Sequence, residues 1–148
     1  MVATLHTSLG DVKVEADCGC CPQESGRFLV LCAGGFLDGA VFQEIVCGRL
    51  VQCRQLRGPS AGESAGEHLG FGEAGRVGFA PDGSLFITTA PAPELEGTHR
   101  AFGRVIHGLF NCEAAARSPV LPGGRPLRPL QIRGATVHAN PLADRDNT

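Results

Sequence analysis

Three groups of residues carry side chains that could do chemistry. Cys18-Gly19-Cys20-Cys21 gathers three thiols in one short loop, and thiolates are ligands for soft metals and agents of redox exchange. That spacing is too tight for a zinc knuckle, and no second Cys or His pair follows at a ligand interval, so no metal centre is expected. Glu63, Glu67, His68 and Glu73 could collect a cation, but they lie in a run without period and read as a solvated loop. Gly70-Phe71-Gly72-Glu73-Ala74-Gly75 fits the G-x-G-x-x-G dinucleotide pattern. It lacks the preceding strand and following helix that give that pattern its meaning, so the match is fortuitous and no cofactor is expected.

The composition narrows the class. A chain of 148 residues suits one domain, and 43% hydrophobic against 19% charged residues allows a packed core. The net charge of -2, with basic residues scattered, gives no footprint for direct nucleic-acid binding. No apolar run approaches the roughly 18 residues of a membrane helix. The start, Met1-Val2-Ala3-Thr4-Leu5-His6, lacks the basic and apolar regions of a signal peptide, so a cytoplasmic or nuclear location is expected. The seven cysteines are odd in number, which fits reduced thiols; Cys47 and Cys53 read as small buried hydrophobes.

The elements that would position a site are short strands. Val2 to Ser8 alternates, Leu9-Gly10-Asp11 turns, and Val12 to Ala16 alternates again, predicting an opening β-hairpin. Pro22 suits a first helical turn, Phe28, Leu29, Leu31 and Cys32 give an apolar face, and Gly34-Gly35 stops the helix. Strands are predicted over 39–46, 49–53 and 76–80. Arg57 to Gly75 reads as a long surface loop. Asp82-Gly83 turns the chain into Leu85-Phe86-Ile87-Thr88-Thr89, and a further strand follows around 101–107. Leu109 to Arg117 has helical spacing, 119–129 is a Pro- and Gly-rich connection, and Leu130 to His138 is a last strand. About eight short strands and two helices imply an all-β fold: a closed antiparallel barrel, which removes its own edges, capped by two α-helices. The domain is expected to span 1–141, followed by a polar tail, 142–148.

The serial order of these elements resembles the cyclophilins, the peptidyl-prolyl cis-trans isomerases. The matching pieces run from Thr4-Leu5-His6-Thr7 and Gly10-Asp11-Val12-Lys13-Val14-Glu15 through Phe28-Leu29, Val41-Phe42, Val51-Gln52 and Phe86-Ile87-Thr88 to Phe102-Gly103-Arg104-Val105-Ile106. The ending Thr136-Val137-His138-Ala139-Asn140-Pro141 is similar to that of the short, spliceosome-associated isomerase-like branch. The resemblance implies an eight-stranded barrel, proline-containing protein segments as ligands, and a large protein or ribonucleoprotein assembly as context.

It also implies a site. An apolar pocket holds the proline ring, and a cation near the prolyl nitrogen weakens its amide character. The uncatalysed barrier is about 18–20 kcal/mol, and one well-aimed charge in a dry groove lowers such a barrier by a few kcal/mol. The family's Phe-His-Arg reads here as Phe42-Gln43-Glu44, which places a carboxylate at the cation position. Arg49 falls at a pocket Phe, Leu50 at a Met, and Gln52 at the family Gln. Ala80 matches a groove-wall Ala, Ser84 stands at another Gln, and Phe86 keeps the inner aromatic. Glu94 stands where many relatives have Trp, and Leu95 and His99 match the pocket Leu and His. The expected proline pocket is therefore Phe42, Leu50, Gln52, Ala80, Ser84, Phe86, Leu95 and His99. Two readings of its activity follow: isomerase activity weak or lost through Glu44, or Arg49 serving as a substitute cation. A third reading is a structural subunit whose groove is idle.

Overall fold

The computed structural model describes residues 2–46, 49–53, 68–119, 122, 127 and 129–138. Cys47, Glu63, Glu67 and the tail 142–148 lie outside the described residues.

Alternation builds the opening hairpin, β1 (Val2–Thr7) and β2 (Gly10–Ala16). Ala3, Leu5, Val12, Val14 and Ala16 are buried, and Leu5 lies opposite Val12 and Ala3 opposite Val14. Thr7 pairs with Gly10, so the turn is Ser8-Leu9, one residue earlier than expected. Helix α1 (Pro22–Ala33) has its proline in the first turn and buries Phe28, Leu31 and Cys32, while Val30 points to solvent.

The strand expected over 39–46 is two pieces, β3 (Val41–Phe42) and β4 (Glu44–Val46), interrupted at Gln43. Then come β5 (Leu50–Cys53), β6 (Arg76–Phe79), β7 (Leu85–Thr88), a 3-10 turn at Pro93–Leu95, β8 (Arg100–His107), helix α2 (Leu109–Ala116) and β9 (Leu130–Val137). All pairings are antiparallel. The sheet order is β3-β9-β1-β2-β8-β6-β7-β5-β4. Its two ends, β3 and β4, are consecutive in the chain. The sheet therefore meets itself at Gln43 and forms an all but closed barrel. Among the described residues it has nine strands; taken as one interrupted run, β3 and β4 give the expected eight.

Part of the predicted surface loop is not surface. Leu69 bridges to Ala101, and Phe71 is fully buried. Sequence periodicity missed both because a single anchor in a Gly-rich run has no period to detect.

The barrel interior is filled by Leu5, Val14, Val51, Val77, Leu85, Ile87 and Ile132, with aromatic rings toward α1. Phe102 has its centroid 5.1 Å from Phe28 and 5.2 Å from Phe79. The Arg27 guanidinium sits 4.3 Å above the Phe79 ring, a cation–π contact that covers this layer. His6 bonds to Asp11 at 3.1 Å and to Thr136 at 2.7 Å, and His138 to Thr4 at 2.8 Å. Both imidazoles tie β1 to its neighbours. No described helix is long and apolar enough to cross a membrane.

Gly108 joins β8 to α2 in the left-handed region, at φ 85°. A Cβ there would stand 2.0 Å from the Asp11 carbonyl oxygen. Gly108→Ala is expected to lower unfolding free energy by about 2–4 kcal/mol, from backbone strain plus overpacking. Gly134→Ala, where a Cβ meets nothing within 4 Å, should change it by no more than about 0.5 kcal/mol. Urea denaturation of the two variants checks the contrast.

Candidate functional site: an apolar groove with a charged rim

Strand alternation gives this sheet two apolar faces. On β5, Val51 and Cys53 enter the barrel core while Leu50 joins a second cluster. On β7, Leu85 and Ile87 enter the core and Phe86 joins the second cluster. On β6, Val77 and Phe79 go inward, and Ala80, just past its end, goes outward; on β8, Phe102 goes inward and Ala101 outward. The second cluster is Leu50, Phe71, Ala80, Phe86 and Ala101, with Leu69 and Leu95 packed against it. This cluster, on the outer face of the barrel, is the floor of the candidate groove.

The strand register sets a row across that floor. Glu44 lies opposite Gln52, Gln52 opposite Phe86, Phe86 opposite Gly78, and Gly78 opposite Ala101. Residues directly opposite share a face of the sheet. Glu44 is thus on the groove face, in line with Gln52 and Phe86. It is half-buried, whereas Gln52 is buried.

The floor is held by its own backbone contacts. Phe71 accepts a hydrogen bond from Ala92 N at 2.9 Å and donates one to Glu96 Oε1 at 3.3 Å. The Phe71 and Phe86 centroids are 5.9 Å apart. His99 meets Phe86 edge-on at 5.3 Å and 78°. Its Nδ1 is 2.9 Å from Thr98 Oγ1, which donates to the Leu95 carbonyl at 3.1 Å. A hydroxyl has one proton, so that donation leaves Nδ1 as the imidazole donor and Nε2 as an acceptor. Burial pushes the His99 pKa down, against a smaller upward pull from the Asp82 charge.

The rim carries an ion pair. Arg49 donates to the Glu94 carboxylate, and each side chain is about half exposed, 51% and 50%. A hydrogen bond from its own backbone N–H, and then the Arg49 guanidinium, hold the Glu94 carboxyl below the usual carboxylate range.

Of the expected pocket residues, the structure brings together Leu50, Gln52, Ala80, Phe86, Leu95 and His99 by cluster, register or ring contact. Ser84 is buried at the entrance to β7, where its carbonyl accepts from Ala80 N at 2.8 Å. Its hydroxyl has no hydrogen-bond partner among the described residues. Phe42 is not with them: it is fully buried in the barrel core, opposite Leu130 of β9. Unbroken alternation would put Phe42 and Glu44 on one face; the interruption at Gln43 separates them, so that Phe42 pairs with β9 and Glu44 with β5. Phe71, Leu69 and Ala101 were missed; the one signal for Phe71 is a lone aromatic among glycines and charges. Among the described residues no group of three or more His, Cys, Asp or Glu is placed to hold a metal ion. Cys21, Cys32 and Cys112 are buried, and burial pushes each thiol up to about 12.

Residues 2–137 match the family described as cyclophilin type peptidyl-prolyl cis-trans isomerase/CLD. The chain belongs to the cyclophilin family. It is 34% identical to the Arabidopsis thaliana peptidyl-prolyl cis-trans isomerase CYP18-1, over 97% of this chain and 99% of that one. It is 32% identical to the Homo sapiens peptidyl-prolyl cis-trans isomerase-like 3, with the same coverage of each. The Rattus norvegicus isomerase-like 3 is 34% identical. In fold it is similar to a Cryptosporidium parvum cyclophilin crystallised in the presence of the dipeptide Ala-Pro. The TM-score there is 0.79 at 23% identity, covering 95% of this chain and all of that one. As a cyclophilin, the chain has the barrel, the two helices and the isomerase-like relatives that its residues suggested.

The lowered pKa of His99 has a pH signature. An unfolded His takes its proton near 6.5, whereas folded His99 takes it only at lower pH. Between those two values the unfolded state binds more protons, so stability is full above about 6.5 and falls as pH drops. Thermal midpoints measured from pH 7.5 to 5.5 should show this fall, and it should flatten in His99→Gln.

Proposed function

We propose that this cyclophilin domain binds proline-containing protein segments on the groove floor of Leu50, Phe86, Leu95 and His99, with isomerase activity weak or lost. The observation that carries the reading is the register row in which Glu44 lines up with Gln52 and Phe86. In the family's chemistry, a cation at that position donates toward the prolyl nitrogen in the twisted state. A carboxylate donates nothing and repels the electron pair that forms there as the amide loses conjugation. The apolar cluster keeps an aromatic ring, Phe86, that a proline ring can pack against once the side chains covering it move aside. The Cryptosporidium parvum relative crystallised with Ala-Pro supports a small prolyl ligand for a groove of this fold.

The substitute-cation reading for Arg49 is weaker, because Glu94 engages its guanidinium. A specific observation favours the structural-subunit reading as a second role. Phe110 on α2 is 66% exposed, and Ile106, four residues before it on β8, is 44% exposed. Exposed apolar side chains so close in the chain suit contact with another protein. A protein or ribonucleoprotein assembly is the context this reading gives the domain.

A prolyl isomerisation assay on a short X-Pro peptide tests the primary reading. Wild type should run near the uncatalysed rate, and Glu44→Arg should raise kcat/KM by about tenfold or more. The full ~10²–10³ of one well-aimed donor is not expected while Arg49 and Glu94 occupy the rim. A wild-type rate equal to that of a competent cyclophilin would overturn the reading.

A further inference from the structure

We propose that the Arg49–Glu94 ion pair is a strap that holds the groove closed, so that a prolyl ligand and the strap compete. The inference rests on the prolyl-binding reading above and deepens it by naming what regulates entry.

The strap joins two walls that are far apart in the chain. Arg49 immediately precedes Leu50, at the start of β5, and Glu94 immediately precedes Leu95, in the 3-10 turn. Leu50 belongs to the floor cluster and Leu95 packs against it. The ion pair therefore ties the start of β5 to the 3-10 turn, next in sequence to Leu50 and Leu95, and its half-exposed side chains reach solvent. The segments that carry the pair are held by backbone bonds: the Arg49 carbonyl accepts from Thr89 N at 2.6 Å, and in the 3-10 turn Leu95 N, next to Glu94, donates to the Ala92 carbonyl at 3.0 Å.

The floor under the strap is covered. Phe71 and Phe86 are 0% exposed and Leu50 is 2% exposed. A proline ring reaches Phe86 only if its present neighbours, among them Leu95 and His99, give way. Moving the 3-10 turn that carries Leu95 also moves Glu94, which breaks the pair with Arg49. Opening and strap release are thus one motion.

The strap is weak enough to open. Ion pairs between half-exposed side chains contribute little and are screened by salt. Competition with it should lower prolyl affinity by about two- to fivefold at low ionic strength. Salt that screens the pair should restore that factor, so a ligand without charge should bind more tightly as salt rises.

The test is a nuclear magnetic resonance titration of an end-blocked, uncharged peptide, acetyl-Ala-Ala-Pro-Ala-amide. It is run at 20 and 500 mM NaCl on wild type, Glu94→Gln and Arg49→Gln. Wild type should gain about two- to fivefold in affinity with salt. Both variants should bind at 20 mM as wild type does at 500 mM, with little further change. Glu94→Gln and Arg49→Gln alter exposed groups, and equal thermal midpoints confirm that the variants are folded. Binding that is equal in all three proteins, with the same response to salt, overturns the strap and leaves the prolyl reading standing. No binding in any of the three at either salt overturns the prolyl reading, and the strap with it.

Discussion

Everything in this molecule depends on strands that are apolar on both faces. β5, β7 and β8 each send alternate apolar side chains into the barrel and onto its outside. A period of two cannot be relaxed on one face without the other. A slip of one residue in β7 would put Phe86 into the barrel and Leu85 and Ile87 onto the groove floor. The groove is therefore the reverse side of the core, and the register that packs Val51 against the barrel interior also aligns Gln52 with Phe86 and Glu44. The seam at Gln43 completes the constraint, because β3 pairs with β9 while β4, two residues on, pairs with β5.

That dependence explains what was legible in the sequence. The strands were readable because alternating apolar residues and Asp-Gly or Gly-Gly punctuation are local signals. The split at Gln43 was not, since it arises only where one run must serve both ends of a sheet. Phe42 was assigned to the pocket from its neighbourhood in the motif, yet motif proximity says nothing about which face a side chain takes. Phe42 and Glu44 are separated by one residue but also by the interruption of the ladder, and they end in different clusters. Phe71 illustrates the opposite case. Its backbone is held by hydrogen bonds to Ala92 N and to the Glu96 carboxylate, more than twenty residues away, and no short window along the chain contains both partners.

The rim was legible only in halves. Arg49 and Glu94 each stood out as a charge at a place where the resemblance implied an aromatic ring. Their opposite signs were visible too. What joins them is the barrel, which brings the start of β5 alongside the 3-10 turn. Two charges that would each be costly beside an apolar floor are tolerable as a pair, because each side chain stays half in water and each meets the other's sign. The floor's polar members follow the same logic. Thr88 is fully buried and its hydroxyl accepts from Arg76 N at 2.9 Å.

The two halves of the groove answer to different physical demands. Phe71, Phe86 and Leu50 are out of water, and burying side chains of this size stabilises a fold by about 1.5–3 kcal/mol each. Removing any of them would also leave a cavity, at a further cost to the fold. Their presence is thus required by folding whether or not a proline ever enters. Glu44, Arg49 and Glu94 reach solvent, and a change of sign at such positions costs the fold little. An apolar floor is what this barrel needs to stand; the charges around it are free to be set by what the groove does. It follows that the aromatic floor, though it is the part that most resembles an isomerase, carries the weaker information about activity. The stronger information lies in the row from Glu44 to Phe86, where, on the function proposed above, a carboxylate stands at the place of a cation.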